Sequence, residues 1–302
     1  MRLELRNIHK SFDGKEVLKG INFSVQSGRA LGLLGRNGAG KTTTIRIIMD
    51  IFHANEGQIL LNGQKFEPSK NQVGYLPEER GMYPKKTVME QMIYFARLRG
   101  LDKNKAAANA AKWLERLQVS EYAKRKMDTL SKGNQQKVQL AATLVSDPDI
   151  IILDEPFSGL DPVNSQILKE VIRELIADNR IVIFSSHQMS YIEEFCDSIA
   201  ILNSGQVVLS GELHDINRSY VRDRLIVRTE YPDNIQADFG KDCTVMGDGS
   251  LMIRLACAED KKSVMQRLVD NYDVDGVKVF EPSLNDIFVE YAGDGADKED
   301  VR

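Results

Sequence analysis

The sequence has few cysteines and no long hydrophobic runs. Cys196, Cys243 and Cys257 are its three cysteines and follow no paired or CxxC spacing, which argues against a disulfide framework or a zinc site. No apolar run approaches the roughly 18–20 residues that a membrane helix needs. The first residues lack the apolar segment of a signal peptide. We therefore expect a protein of a reducing compartment for which any membrane role must come through a partner.

The sequence also has no excess of positive charge. Its 40 lysines and arginines against 44 aspartates and glutamates give a formal net charge of −4. Because a nucleic-acid-binding protein needs a basic face to neutralise phosphates, this balance predicts that nucleic acid is not a partner. The 42% hydrophobic and 28% charged residues are typical of globular proteins, and 302 residues have room for one large and one small domain.

Short apolar strands alternate with helical stretches in the first two thirds of the chain. Ala30–Leu34, Ile150–Leu153 and Ile181–Phe184 are apolar throughout, which is typical of parallel strands covered on both faces. Two earlier strands flank a turn at Asp13-Gly14, which predicts a β-hairpin. In residues 84–145 apolar residues recur at helical spacing, which predicts several helices. The pattern predicts an α/β fold.

The composition changes after about residue 218. Candidate strands at Leu225–Val227, Leu251–Ile253 and Val277–Phe280 are interleaved with a helix over 258–271, and a last helix follows over 282–291. We therefore predict a large domain over residues 1–218, with a helical subdomain at about 84–145. A small α+β domain over 219–302 would end in a charged, frayed tail from Asp294 to Arg302.

A glycine-rich loop follows the first apolar strand and precedes a helix predicted over Lys41–Phe52. Residues 35–42 fit the pattern G-x-x-x-x-G-K-[ST]. Glycines let backbone N–H groups surround a phosphate, and the helix N-terminus attracts the same anion. Lys41 is expected to contact the β- and γ-phosphates, and Thr42 to ligate Mg²⁺. The predicted nucleotide-binding residues are Gly35, Arg36, Asn37, Gly38, Ala39, Gly40, Lys41, Thr42 and Thr43.

Polar residues follow the other two apolar strands. Because ligands collect at the carboxyl ends of strands in open α/β sheets, Asp154 is expected to hold Mg²⁺ and Glu155 to polarise the attacking water. His187 is placed to hydrogen-bond the γ-phosphate. Asp161 has two interpretations, an N-cap of the helix that Pro162 begins and a contact to a second copy of the site. Both can hold, because capping is expected to leave one carboxylate oxygen free.

These motifs, in this order, resemble the ATP-binding cassette of ABC transporters over roughly residues 1–218. The sequence LSKGNQQK at 130–137 is similar to the family's signature, and residues 159–161 are similar to its D-loop. His187 resembles the switch histidine, and Phe12 resembles the aromatic residue that stacks on adenine. The resemblance implies a P-loop NTPase core with an antiparallel β subdomain and a helical subdomain.

The same resemblance implies ATP and Mg²⁺ as cofactors and a head-to-tail pair of cassettes. Ser131 and Gly133 of one copy would meet the γ-phosphate bound by the other, although Ser131 is also explained as a helix N-cap. Asn134 departs from the family's usual glycine, but asparagine tolerates left-handed backbone. Glu78 stands where the family has the Q-loop glutamine. Its carboxylate can ligate Mg²⁺ but adds negative charge near a triphosphate.

Residues 74–85 and 281–288 resemble a prokaryotic exporter branch that includes sodium-extrusion ATPases and has a separate permease polypeptide. The resemblance implies an ATP-hydrolysing exporter subunit, peripheral on the cytoplasmic face of the membrane. It would pair with itself or a related cassette and meet an integral-membrane permease through residues 80–98.

Two alternatives compete with the exporter interpretation. The first is a soluble ABC ATPase that acts on ribosomes or DNA. The single cassette, the lack of sustained heptads and the acidic charge disfavour it. The second is a P-loop kinase or GTPase. This interpretation would give the signature no role, and the sequence has no N-K-x-D motif.

Overall fold

A computed structural model describes residues 1–68, 73–79, 81–220 and 223–293. The chain divides into two units, and the first contains Met1–Leu213 together with the described residues from 288 to 293. The second unit is His214–Ile287, so it begins five residues before the predicted position 219. The charged tail predicted from Asp294 to Arg302 lies outside the described residues. None of the helices in the described ranges is long and apolar enough to cross a membrane.

The first unit follows the predicted α/β pattern. Its strands are β1 (Arg2–Phe12), β2 (Lys15–Gln26), β3 (Arg29–Gly35), β4 (Glu56–Leu61), β5 (Gln64–Lys65), β6 (Val73–Leu76), β7 (Ile150–Asp154), β8 (Ile181–Ser185), β9 (Ser198–Asn203) and β10 (Gln206–Glu212). Its helices are α1 (Lys41–Ile48), α2 (Val88–Leu98), α3 (Lys103–Arg116), α4 (Lys132–Leu144), α5 (Pro162–Ala177) and α6 (Met189–Phe195).

The central sheet has the strand order β10-β9-β3-β8-β7-β6. The pairs β9/β3, β3/β8, β8/β7 and β7/β6 are parallel, whereas β10 runs antiparallel to β9. Every residue of β7 and β8 is buried, as the wholly apolar runs predicted. Parallel neighbours end at one edge, so β3, β7 and β8 bring the glycine loop, the acidic pair and the histidine to the same side of the sheet.

A second, antiparallel sheet has the order β2-β1-β4-β5. The hairpin between β1 and β2 turns at Asp13 and Gly14, whose φ angles are 47° and 80°. Leu3 and Leu18 of this sheet share one buried cluster with Ile45 of α1 and Ile152 of β7. This apolar core fixes the antiparallel sheet and α1 against the central sheet.

The helices begin where their sequences provide caps. Thr87 and Glu90 form a reciprocal capping box at the start of α2, and Asp102 caps α3. The helix predicted over Lys41–Phe52 instead ends at Ile48, because Asp50 takes a left-handed φ of 57°. Its apolar periodicity continues past that point, so the pattern alone did not give the end of the helix.

The second unit is an α+β arrangement in which strands and helices alternate. It contains β11 (Arg224–Arg228), α8 (Pro232–Phe239), β12 (Cys243–Val245), β13 (Leu251–Arg254), α9 (Lys261–Asn271) and β14 (Gly276–Val279). The antiparallel sheet has the order β12-β13-β11-β14 and packs Leu225, Ile253 and Leu268 into its own core. Two short helices, α7 (Leu213–Ser219) and α10 (Leu284–Ala292), contain the chain positions at which the two units divide.

Candidate nucleotide-hydrolysis site

The glycine loop between β3 and α1 packs closely against β2 and β9, which is possible because its glycines carry no side chains. A Cβ on Gly40 would lie 2.6 Å from Leu18 Cδ2, and a Cβ on Gly35 would lie 2.6 Å from the carbonyl oxygen of Leu202. Gly40 also has a φ of 110°, which other residues rarely adopt. No side chain caps the first amides of α1, so these N–H groups remain available for an anion.

Lys41 closes this loop from the first turn of α1. Its Nζ donates to the carbonyl oxygens of Gly35 at 2.5 Å and Arg36 at 3.3 Å. Burial lowers the pKa of Lys41, and the carboxylates of Asp154, Glu155 and Glu78 oppose that shift. The negative charges of Asp154, Glu155 and Glu78 therefore favour the protonated ammonium of Lys41, which is the form that can bind phosphates.

Asp154 is buried at the carboxyl end of β7. The hydroxyl of Tyr75, on the neighbouring β6, donates to Asp154 Oδ2 at 3.5 Å. Burial, together with the negative charge of Asp154, raises the pKa of Tyr75 to about 12, so this hydroxyl remains a proton donor at neutral pH. Tyr75 could not be identified from the sequence, because its link to Asp154 arises only from the pairing of β6 with β7.

Glu155 follows Asp154 in a left-handed backbone conformation with φ 48° and is also buried. Its Oε1 accepts a hydrogen bond from the His187 amide at 2.6 Å, and its Oε2 accepts one from Ser186 Oγ at 3.2 Å. Burial raises the pKa of Glu155, and the nearby His187 opposes that shift. His187 Nε2 lies 3.6 Å from Glu155 Oε1, so the fold brings these two candidate catalytic residues together.

The donor set at this edge of the sheet fits Mg²⁺. Thr42 offers a hydroxyl, and Asp154 and Glu78 offer carboxylates near the Lys41 ammonium. Mg²⁺ prefers oxygen ligands and usually takes one or two carboxylates together with substrate phosphates and water. Within the described ranges no group of three or more His, Cys, Asp or Glu residues forms a complete protein cage for a metal.

Phe12 ends β1, and its ring is partly exposed. The ring packs edge-on against Phe52 with centroids 5.2 Å apart, and Lys10 Nζ lies 5.0 Å from its centroid. A ring that is fixed by one neighbour and still exposed can stack on a flat ligand.

Ser131 and Gly133 lie at the exposed N-terminus of α4. Ser131 caps this helix, since its Oγ accepts a hydrogen bond from the Asn134 amide at 3.3 Å. A Cβ on Gly133 would lie 3.1 Å from Asn164 Nδ2 of α5, so the two helix ends are neighbours. The absence of a side chain at Gly133 keeps backbone amides accessible beside the serine.

Asp161 caps α5 with both of its carboxylate oxygens. Oδ1 accepts from the Asn164 amide at 2.9 Å, and Oδ2 accepts from Asn164 Nδ2 at 2.5 Å. The expectation that capping leaves one oxygen free is therefore wrong, because the side chain of Asn164 folds back onto the second oxygen. These hydrogen bonds lower the pKa of Asp161, which stays ionised and exposed.

Helix α4 is also tied to the two loops that carry Glu78 and Glu155. Gln139 Nε2 donates to the carbonyl oxygens of Pro77 at 3.4 Å and Glu79 at 3.1 Å. Gln136 Nε2 donates to the carbonyl oxygen of Pro156 at 3.0 Å. Both glutamine residues are buried. They could not be identified from the sequence, since a glutamine on a helix gives no signal of the carbonyl groups that it meets.

Comparisons with known proteins agree with this geometry. The family model for ABC transporters matches residues 18–158. A second model, for the C-terminal domain of ATP-binding proteins similar to DrrA1-3, matches residues 211–292. The first match contains the glycine loop, Asp154 and Glu155 but ends before His187, and the second contains the whole second unit.

Similar proteins include an uncharacterised ABC transporter ATP-binding protein, YhaQ, of Bacillus subtilis. It is 36% identical over 296 residues, which cover 96% of this chain and 98% of YhaQ. A Nod factor export ATP-binding protein I of Burkholderia orbicola is 34% identical over 72% of this chain and 73% of its own length. A solved ATP-binding subunit of an ABC transporter superposes with a TM-score of 0.67 at 31% identity, over 72% of this chain and 92% of that one.

Proposed function

The chain belongs to the ATP-binding proteins of ABC transporters, and from that premise we propose that it is the motor subunit of an exporter. It would bind and hydrolyse ATP as a head-to-tail pair of cassettes on the cytoplasmic face of a membrane, below a separate permease. The observation that carries the proposal is the position of the glycine loop, closed by Lys41, at the same edge of the central sheet as Asp154 and Glu155. The similarity to a Nod factor export protein supports the exporter class.

Within one cassette, the chain's own groups bind the nucleotide. The loop amides and the Lys41 ammonium hold the β- and γ-phosphates, and Phe12 stacks on the adenine. Thr42, Asp154 and Glu78 would hold Mg²⁺, which would supply neutralisation of the charge on the phosphates.

Hydrolysis is then carried out by the pair at the ends of β7 and β8. Glu155 accepts a proton from the attacking water as the water approaches the γ-phosphate. Burial supports this role because it makes the carboxylate a better base. The His187 side chain, exposed beside Glu155, donates a hydrogen bond to the γ-phosphate.

A second cassette, either a copy of this chain or a related one, completes each site. Ser131 and the amides near Gly133 form an exposed helix N-terminus, which attracts an anion from another chain as readily as from its own. Asp161 is exposed at the neighbouring helix end and carries a lasting negative charge. Its side chain orders the end of α5 beside Gly133 and thereby shapes the surface that meets the partner.

The permease is proposed to dock on the aromatic patch beside the Glu78 loop. Tyr83 and Tyr94 are 55% and 48% exposed, and both rings lie within 6.5 Å of the Phe95 ring. An open groove of about 370 Å³, lined in part by Phe95, Leu98 and Gln139, lies next to them. Exposed aromatic side chains beside a groove suit a partner helix. Arg80, the first residue of the predicted contact segment, lies outside the described residues.

Site-specific photo-crosslinking in membranes of the source organism tests this assignment. A photoreactive phenylalanine analogue at Tyr94 should capture a polytopic membrane protein that also raises the ATPase rate of the purified chain. The same analogue at Tyr231, which is 56% exposed in the second unit, is the control. Capture of soluble ribosomal or DNA-associated proteins at Tyr94 would instead support the alternative of an ATPase acting on ribosomes or DNA, for which the comparisons give no support.

A further inference from the structure

We propose that Ser186 is a positioning residue for ATP hydrolysis. Its hydroxyl, acting with the amide of His187, fixes the Glu155 carboxylate in the orientation that polarises the attacking water. The inference rests on the proposed role of Glu155 as the general base and concerns a residue that no sequence motif above includes.

The hydroxyl of Ser186 is held in one orientation. Its Oγ donates to Glu155 Oε2 at 3.2 Å and accepts from the amide of Gln188 at 3.1 Å, and the residue is 6% exposed. A serine hydroxyl has one proton to donate. Because the Gln188 amide engages an oxygen lone pair, that proton is directed towards the carboxylate.

The second carboxylate oxygen is held by the next residue along the chain. The His187 amide donates to Glu155 Oε1 at 2.6 Å. Two consecutive residues therefore fix both oxygens, and each oxygen keeps a lone pair for a water molecule. These two hydrogen bonds matter because the backbone of Glu155 is left-handed, with φ 48°. This uncommon conformation gives its side chain an uncommon direction.

The neighbouring serine provides a comparison inside the same chain. Ser185 is 1% exposed, and its Oγ has no hydrogen-bond partner among the described residues. The buried hydroxyl of Ser186 thus donates to the carboxylate, whereas that of Ser185 makes no hydrogen bond within the described ranges. Removing an unpaired buried hydroxyl leaves no other group without its partner. Ser185→Ala is therefore a matched control for Ser186→Ala.

Steady-state ATP hydrolysis with the full chain tests the proposal. Ser186→Ala should lower kcat roughly tenfold, since it removes one hydrogen bond to a charged catalytic group. KM for ATP and the affinity for a non-hydrolysable ATP analogue should stay within about twofold, because Ser186 does not contact the nucleotide. Ser186→Thr, which keeps the hydroxyl, should recover most of kcat. Ser185→Ala should leave kcat unchanged.

Three results would overturn the proposal. The first is an equal kcat for Ser186→Ala and Ser185→Ala, and the second is a Ser186→Thr variant as slow as Ser186→Ala. The third is a parallel loss of kcat, analogue affinity and melting temperature in Ser186→Ala, which would indicate a purely structural role. Glu155→Gln separates this inference from the proposed function. If Glu155→Gln abolishes turnover while Ser186→Ala does not slow it, Ser186 alone is misassigned, whereas rapid turnover by Glu155→Gln would remove the premise.

Discussion

The fold holds the candidate ATP residues in two different ways. Lys41, Asp154 and Glu155 lie at the strand-end edge of the central sheet, where they are buried or half-buried and have protein partners. Ser131 and Asp161 lie at helix N-termini, exposed to solvent, and each caps its own helix. We propose that the first group binds one phosphate chain within its own cassette. The second group is a surface suited to an anion from outside.

The two groups also differ in what they do for stability. Buried charges are costly unless partners compensate them, so the carboxylates and the lysine of the first group depend on one another. The capping residues of the second group stabilise their helices, typically by about 1 kcal/mol each. The first group therefore depends on compensating charges. The second group is held in place by the helices that its members cap. Substitutions should separate the two behaviours.

The largest effect is expected at Glu155. Glu155→Gln keeps the shape of the side chain but removes the general base, so hydrolysis should fall by roughly 10²–10⁴-fold while ATP binding persists. Phosphate release and size-exclusion chromatography with ATP would measure turnover and a trapped dimer. Glu170→Gln, an exposed carboxylate on α5, is the control. Turnover near the wild-type rate in Glu155→Gln would contradict the assignment of this residue to the buried reaction centre.

A smaller effect is expected for Lys41→Ala, which acts on binding. Loss of a charge-assisted contact to phosphate costs about 1.5–3 kcal/mol, so affinity for ATP should fall by roughly 10- to 150-fold. Titration calorimetry measures this change directly. Lys132→Ala, an exposed lysine in the first turn of α4, controls for net charge. Equal affinities for Lys41→Ala and the unsubstituted chain would show that the glycine loop does not hold the phosphates.

Ser131→Ala tests the exposed group. The variant should lose roughly tenfold in hydrolysis rate by removing one contact to the partner's nucleotide, while single-cassette ATP affinity stays unchanged. It should also lose about 1 kcal/mol of stability as a missing N-cap. Asp102→Ala removes the cap of α3 at a similar stability cost and is the matched control. A hydrolysis rate reduced equally in both variants would mean that Ser131 acts as a cap alone.

Phe12→Ala should give the smallest change. Removal of a base-stacking ring weakens ATP binding by roughly fivefold, at the lower end of measured stacking energies, because the ring is only partly exposed. Binding of inorganic tripolyphosphate, which has no base, should not change. Competition titrations with ATP and tripolyphosphate compare the two ligands on each variant. If the affinities for ATP and tripolyphosphate fell equally, Phe12 would act through the glycine loop and not by stacking on adenine.

The sequence predicted the parts of the fold that depend on local patterns. The wholly apolar runs gave β3, β7 and β8, and the loop motif lies between β3 and α1 as expected. In the second unit, β12 and α8 were missed. The strand has three residues, and the helix begins at Pro232 without a side-chain cap, so neither gives a strong periodic signal.

The supporting contacts of the site could not be predicted from the sequence. Gln139 reaches two backbone carbonyls some 60 residues earlier in the chain. Tyr75 reaches Asp154 across paired strands, and Ser186 reaches back to Glu155. Such contacts depend on which strands become neighbours. No local motif records that information, and a carbonyl acceptor has no residue-type signature.

The glutamine bonds of α4 have a mechanical consequence for a pair of cassettes. Gln139 holds the backbone on both sides of Glu78, and the same helix begins at its N-cap Ser131, about two turns away. Because an α-helix rises 1.5 Å per residue, about 12 Å of stiff backbone joins the two points. When the ligand leaves the loop that carries Glu78, we expect a movement of this loop to move the N-terminus of α4 by a similar distance. Each subunit would then report the state of its own nucleotide to its neighbour.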